Sequence, residues 1–146
     1  ELGFDVCVDY KADDWQQQLV AATPQGLDAI FENVGGEVFD ACLLRMNPFG
    51  RIALCGMIAG YETADLPIKN ARVLLTQRLT VRGFIISEYM DLWPQGLKEL
   101  GTLLASGKIK FKESIAPDLA AAPEAFIGLL KGKNFGKQLV RLLPET

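Results

Sequence analysis

A chain of 146 residues with 49% hydrophobic residues is long enough to bury the core of one domain, and 15 Lys plus Arg against 18 Asp plus Glu leave a formal charge of −3. It has no histidine, which excludes a Ser-His-Asp or Cys-His centre, a His-ligated zinc site and a histidine general base. Slight acidity without a dense Lys/Arg tract argues against a nucleic-acid surface, and no apolar run approaches the ~18 to 20 residues of a membrane-spanning helix, so a soluble protein is expected.

The first ten residues, ELGFDVCVDY, lack the basic start and long apolar middle of a signal peptide. They also lack an initiator Met and read as the end of an element, so the chain is expected to be part of a longer one. Cys7, Cys42 and Cys55 are far apart, odd in number and without a CxxC pair. They predict no metal site and no disulfide set, only buried thiols in a reducing, cytoplasmic compartment.

Along the chain, Phe4, Val6, Val8 and Tyr10 recur at period two and predict a strand. Asp13 or Asp14 then caps a helix with Trp15, Leu19 and Ala22 on one face, ended by Thr23-Pro24-Gln25-Gly26. The short, nearly continuous apolar run at 27–31 suits a parallel strand covered on both faces. It stops at Asn33-Val34-Gly35-Gly36, after which Val38, Phe39, Cys42, Leu43 and Met46 form a helical stripe closed by Asn47-Pro48. A third strand spans 51–55. Residues 57–69 read as a long loop, Asn70 as the cap of a short helix through Val73, Leu74 and Leu75, and the stretch from Leu79 to Ile86 as a fourth strand. Pro94 opens a helix carrying Leu97, Leu100 and Leu104 and closed by Gly107, and Pro123 opens another closed by Gly132. Between them 109–115 is expected to be extended, and 138–143 forms a last strand.

Strand, helix, strand, helix, strand in this order predicts an α/β fold, part of a doubly wound, Rossmann-type parallel sheet. No GxGxxG occurs, so the first βαβ unit with its glycine fingerprint is missing. The expected division is 1–116 for the latter part of a dinucleotide-binding domain and 117–146 for a helix and strand returning toward another domain. Ligands of such sheets bind beyond the carboxyl ends of the strands. That rule selects Tyr10 with Lys11, Asn33 to Gly36, Gly56 to Tyr61, and Phe84 to Ser87. Each feature also has a plain explanation: glycines for tight turns, Asn33 for loop backbone bonding, Tyr61 for covering a core edge, and the lysine-bearing run 131–137 as a solvated turn.

Five segments taken together carry a resemblance: Leu2-Gly3-Phe4-Asp5, Phe31-Glu32-Asn33-Val34-Gly35-Gly36, Phe49-Gly50-Arg51-Ile52-Ala53-Leu54-Cys55-Gly56, Val81-Arg82-Gly83-Phe84, and Leu130-Lys131-Gly132-Lys133-Asn134-Phe135-Gly136-Lys137. The chain resembles the zinc-independent medium-chain reductases, in the group of prostaglandin reductases, leukotriene hydroxydehydrogenases, curcumin reductases and plant alkenal reductases. The resemblance implies NADPH-dependent reduction of the C=C bond of α,β-unsaturated ketones or aldehydes. By position it implies that Tyr10 meets the adenosine 2′-phosphate and Asn33 lies under the ribose and pyrophosphate. It further implies that Cys55, Gly56, Met57, Ile58 and Tyr61 wrap the nicotinamide half, Phe84, Ile85 and Ile86 hold the carboxamide, and Asn134 lies near the nicotinamide.

In the chemistry so implied, hydride reaches the β-carbon and the developing enolate needs hydrogen-bond donors. A ribose hydroxyl held by Tyr61 would be one, which makes Tyr61 the candidate closest to catalysis. The missing sheet strands are expected to leave this chain alone inactive and a weak binder of NADPH. A homodimer through the edge strand near Leu79 to Ile86 is expected. Two other readings stay open: a non-enzymatic dimerisation or regulatory module, and, without the glycine-rich loop it needs, a methyltransferase-type fold.

Overall fold

The computed structural model describes residues 3–61 and 66–143. They fall into two compact units, Glu1–Met90 and Asp91–Thr146. The first alternates α1 (Trp15–Ala22), β1 (Leu27–Glu32), α2 (Gly36–Leu43), β2 (Met46–Leu54), α3 (Arg72–Thr76) and β3 (Thr80–Gly83). The strands lie in the order β1-β2-β3, all parallel. Parallel neighbours cannot be joined by a tight hairpin, and the connections through α2 and α3 meet that requirement.

Side chains alternate between the faces of this sheet. Ile30, Ile52 and Val81 share one row of the ladder, and Ile52, only 2% exposed, packs with Phe39, Leu43 and Met46. Leu27, Ile30, Leu54, Leu74 and Leu79 close around that cluster. The next row, Phe31, Ala53 and Arg82, takes the other face, where Phe31 is 65% exposed. Among the described residues β1 is therefore covered on one face, not on both as its apolar run predicts.

Four further differences have physical causes. The period-two residues at 4–10 form no strand, because no described segment pairs with them; Phe4, Val6 and Tyr10 are exposed. Met46 begins β2 instead of ending the preceding helix, which stops at Leu43. Pro48 is tolerated in β2 because the register jumps from Leu27↔Met46 to Ala29↔Arg51, leaving 47–50 as a bulge in which Phe49 takes a φ of 63°. Asn70 does not cap α3: its Nδ2 donates to the Asp40 carbonyl at 3.3 Å. The fourth strand ends at Gly83, since the amide of Ile85 turns to the Glu88 carboxylate at 2.9 Å and a 3-10 segment, Ile86–Leu92, follows. Of the predicted loop at 57–69, residues 62–65 lie outside the described residues; a 3-10 turn, Ile58–Gly60, begins it.

The second unit holds α4 (Trp93–Ala105), β4 (Glu113–Ala116), α5 (Ala122–Leu130) and β5 (Lys137–Val140). Its two strands pair in parallel from Glu113↔Lys137 to Ala116↔Val140, with α5 packed on β5. Both helices begin with a proline in the first turn, and Gly107 and Gly132 follow them at φ values of 68° and 65°. Gly136, at φ 75°, brings the chain so close to Lys112 that a Cβ would collide with its carbonyl.

Candidate functional site

The carboxyl ends of β1, β2 and β3 lie side by side, because the three strands are parallel and in register through Glu32↔Leu54↔Gly83. At the end of β1 the chain turns sharply into α2 through Gly35, whose φ is 77°. The carboxylate of Glu32 sets this turn: its Oε1 accepts from the amides of both Val34 and Gly35 at 2.6 Å. A buried acid needs such donors, and Glu32 is 4% exposed.

The loop after β2 hangs on the same turn. The Glu32 carbonyl accepts from the amides of Cys55 and Gly56 at 2.9 and 3.1 Å, and the carbonyls of Asn33 and Val34 accept from Ile58 and Ala59 at 3.1 and 2.9 Å. Asn33 is exposed and lies so near Gly56 that a Cβ there would sit 3.2 Å from its Oδ1. Beyond β3, the Phe84 amide donates to the Leu54 carbonyl at 3.2 Å, and its ring meets Phe31 edge-on at 6.1 Å. Cys55, Gly56, Met57, Phe84, Ile85 and Glu88 line a groove of about 350 Å³ along these strand ends.

The structure thus brings together Asn33, Cys55, Gly56, Met57 and Ile58, with Phe84 and Ile85 beside them. Ile86 follows at the start of the 3-10 segment and is exposed. Tyr61 closes the Ile58–Gly60 turn, its amide donating to the Ile58 carbonyl at 3.1 Å, and its side chain is 72% exposed. Tyr10 is half-exposed in a turn made by the Ala12 amide and the Asp9 carbonyl, and it does not line the groove. Asn134 belongs to the second unit, where its Nδ2 donates to the Gly136 carbonyl at 2.7 Å.

Two carboxylates that shape this region are not singled out by the sequence. Glu32 is one. The other is Asp40 on α2, 6% exposed, whose oxygens accept from the amides of Lys69 and Asn70 at 3.0 and 2.9 Å and so fix the approach to α3. The usable signal was an acid two and three residues ahead of the amides that open a helix, a local side-chain-to-backbone pattern. The thiols differ from the expectation of burial: Cys7 and Cys55 are exposed and Cys42 is half-buried. Cys7 sits in the unpaired segment and Cys55 in the strand-end loop. Burial, and then the Glu32 carboxylate, push the Cys42 thiol above its ordinary value.

A parallel α/β sheet with a glycine turn after β1 and a groove along its carboxyl ends defines a Rossmann-like α/β unit. Residues 1–102 match the family described as zinc-binding dehydrogenase, and the chain belongs to that family. It is 43% identical over 148 residues to the NADPH-dependent curcumin reductase of Escherichia coli (strain K12), a match covering 97% of this chain and 43% of that protein. Prostaglandin reductase 1 of Mus musculus is 39% identical over 145 residues, covering 97% and 44%. The crystal structure of CurA in complex with NADPH from Vibrio vulnificus superposes with a TM-score of 0.89 at 41% identity, covering 98% of this chain and 44% of that one. The chain therefore spans less than half the length of these relatives. Zinc, which the family description mentions, finds no fit here: among the described residues no three His, Cys, Asp or Glu side chains gather as a metal site.

Proposed function

We propose that the protein carrying this chain uses NADPH to reduce the C=C bond of α,β-unsaturated ketones or aldehydes, and that this chain supplies the strand-end half of its cofactor site. The observation that carries the reading is the close meeting of Asn33 with the loop 55–58 beside Phe84, at the position where parallel sheets hold nucleotides. The identity to a curcumin reductase described as NADPH-dependent and a 2-alkenal reductase described as NADP(+)-dependent supports the choice of cofactor and of substrate class.

The residues fit a dinucleotide. Gly56, which lines the groove, has no side chain, so its backbone stands open there with the Asn33 amide close beside it. Tyr10 would take the adenosine 2′-phosphate, Asn33 the ribose, and the segments 55–58 and 84–86 the nicotinamide end. The bound cofactor supplies hydride. Tyr61 holds a ribose hydroxyl so that a donor stands where the enolate charge develops. Replacing Tyr61 by Phe keeps the ring and removes that contact; kcat/KM for enones should fall about tenfold or more. Unchanged kinetics would refute the role.

The reading also includes a homodimer in a cytoplasmic setting. β3 is a sheet edge whose four residues are all exposed, a surface suited to strand pairing with a second copy. A reducing compartment keeps the exposed Cys7 and Cys55 as free thiols. Sedimentation of Val81→Pro, which removes an edge donor, should show monomer where the wild type shows dimer.

A further inference from the structure

We infer that Glu32 is a positioning residue for the cofactor, its buried carboxylate and its own carbonyl tying together the two strand-end loops that carry Asn33 and Gly56. The inference rests on the proposed NADPH function. Among the described residues no Lys or Arg forms an ion pair with Glu32, so its charge is met by hydrogen-bond donors. Its neighbours in the same ladder row are Leu54 and Gly83, an apolar setting in which an apolar side chain would serve packing equally well. What an apolar side chain would not do is take the amides of Val34 and Gly35, both held at 2.6 Å.

Two consequences follow from that geometry. The turn is fixed from inside, so Asn33 projects outward on a rigid base, and the carbonyls of residues 32, 33 and 34 fix Cys55, Gly56, Ile58 and Ala59 to the same base. A shift at Glu32 moves both loops at once. The amides of Val34 and Gly35 are also already occupied by an internal anion. This strand end therefore offers the cofactor a neutral amide side chain, and a phosphate must bind elsewhere.

The test uses Glu32→Ala and Glu32→Gln in the protein that carries this chain, with amide exchange at Val34 and Gly35 followed by NMR beside steady-state kinetics. Glu32→Ala should raise the KM for NADPH about tenfold while kcat falls less than about threefold and the enone KM stays put, with faster exchange at both amides. Glu32→Gln keeps an oxygen acceptor and should recover most of both effects. A fall in kcat with the NADPH KM unchanged, the mark of a smaller folded fraction alone, overturns the inference. So does wild-type exchange at Val34 and Gly35 in Glu32→Ala. A wild type without NADPH-dependent reduction overturns the proposed function itself, and an active enzyme indifferent to Glu32→Ala overturns only the role of Glu32.

Discussion

Enlarging Gly56 separates the needs of the fold from those of the ligand. Its φ is outside the left-handed region, so a side chain there adds no backbone strain. An added Cβ would lie 3.2 Å from Asn33 Oδ1, 3.4 Å from the Asn33 carbonyl oxygen and 3.7 Å from its Cα. Only the first is tight, and it involves the far end of an exposed side chain that can yield by a few tenths of an ångström. The fold should therefore accept Gly56→Ala with a Tm within about 3 °C of wild type. The groove should not. One methyl between Asn33 and the ligand should cost about 1 kcal/mol, about fivefold in Kd, and the branched side chain of Gly56→Val about 2 kcal/mol, about thirtyfold. Titrating NADPH by fluorescence, with Tm measured on the same samples, reads both quantities. Wild-type affinity in Gly56→Val would refute the placement of the cofactor, and a collapse of Tm in Gly56→Ala would refute the steric reasoning.

Other outcomes follow from the same geometry. Gly35→Ala forces a left-handed φ on a residue with a Cβ and presses it to 3.2 Å from Leu66, so chemical denaturation should show a loss of about 1 to 2 kcal/mol. Leu43 is fully buried, and Leu43→Ala should cost about 3 to 5 kcal/mol by the same measurement. The raised Cys42 thiol means that the unfolded chain loses this proton at lower pH than the native protein. Stability should therefore fall as pH rises from the ordinary thiol range toward the raised native value, and Cys42→Ala should remove that part of the slope in urea midpoints. Iodoacetamide at neutral pH should modify Cys7 and Cys55 well before Cys42, as peptide mass mapping would show.

The alternation of strands and helices is legible in the sequence because local signals agree there. Residues 27–31 are apolar except for Asp28 and are bounded by Gly26 and the Asn33–Gly36 turn, and Pro94 and Pro123 mark helix starts that the structure keeps. Legibility fails where the outcome depends on a partner. The period-two run at 4–10 has the side chains of a strand, but a strand exists only when another backbone pairs with it. Met46 suits a helical stripe and a buried strand equally, so periodicity could not decide that boundary. The positions of Asn33, Gly56 and Phe84 follow from the rule that parallel sheets bind at strand ends, and the structure brings them together. Glu32 is legible only in part: its carboxylate reaches the amides two and three residues on, a local pattern, but its carbonyl bonds a loop more than twenty residues away, which no local pattern displays.

The central claim is tested most directly by mixing the purified protein that carries this chain with NADPH and a conjugated enone, and following cofactor and product together. The account predicts NADPH oxidation matched one for one by loss of the C=C bond, with the carbonyl retained in the product. No NADPH-dependent turnover of conjugated enones or enals, or reduction of the carbonyl to an alcohol with the double bond intact, would contradict it.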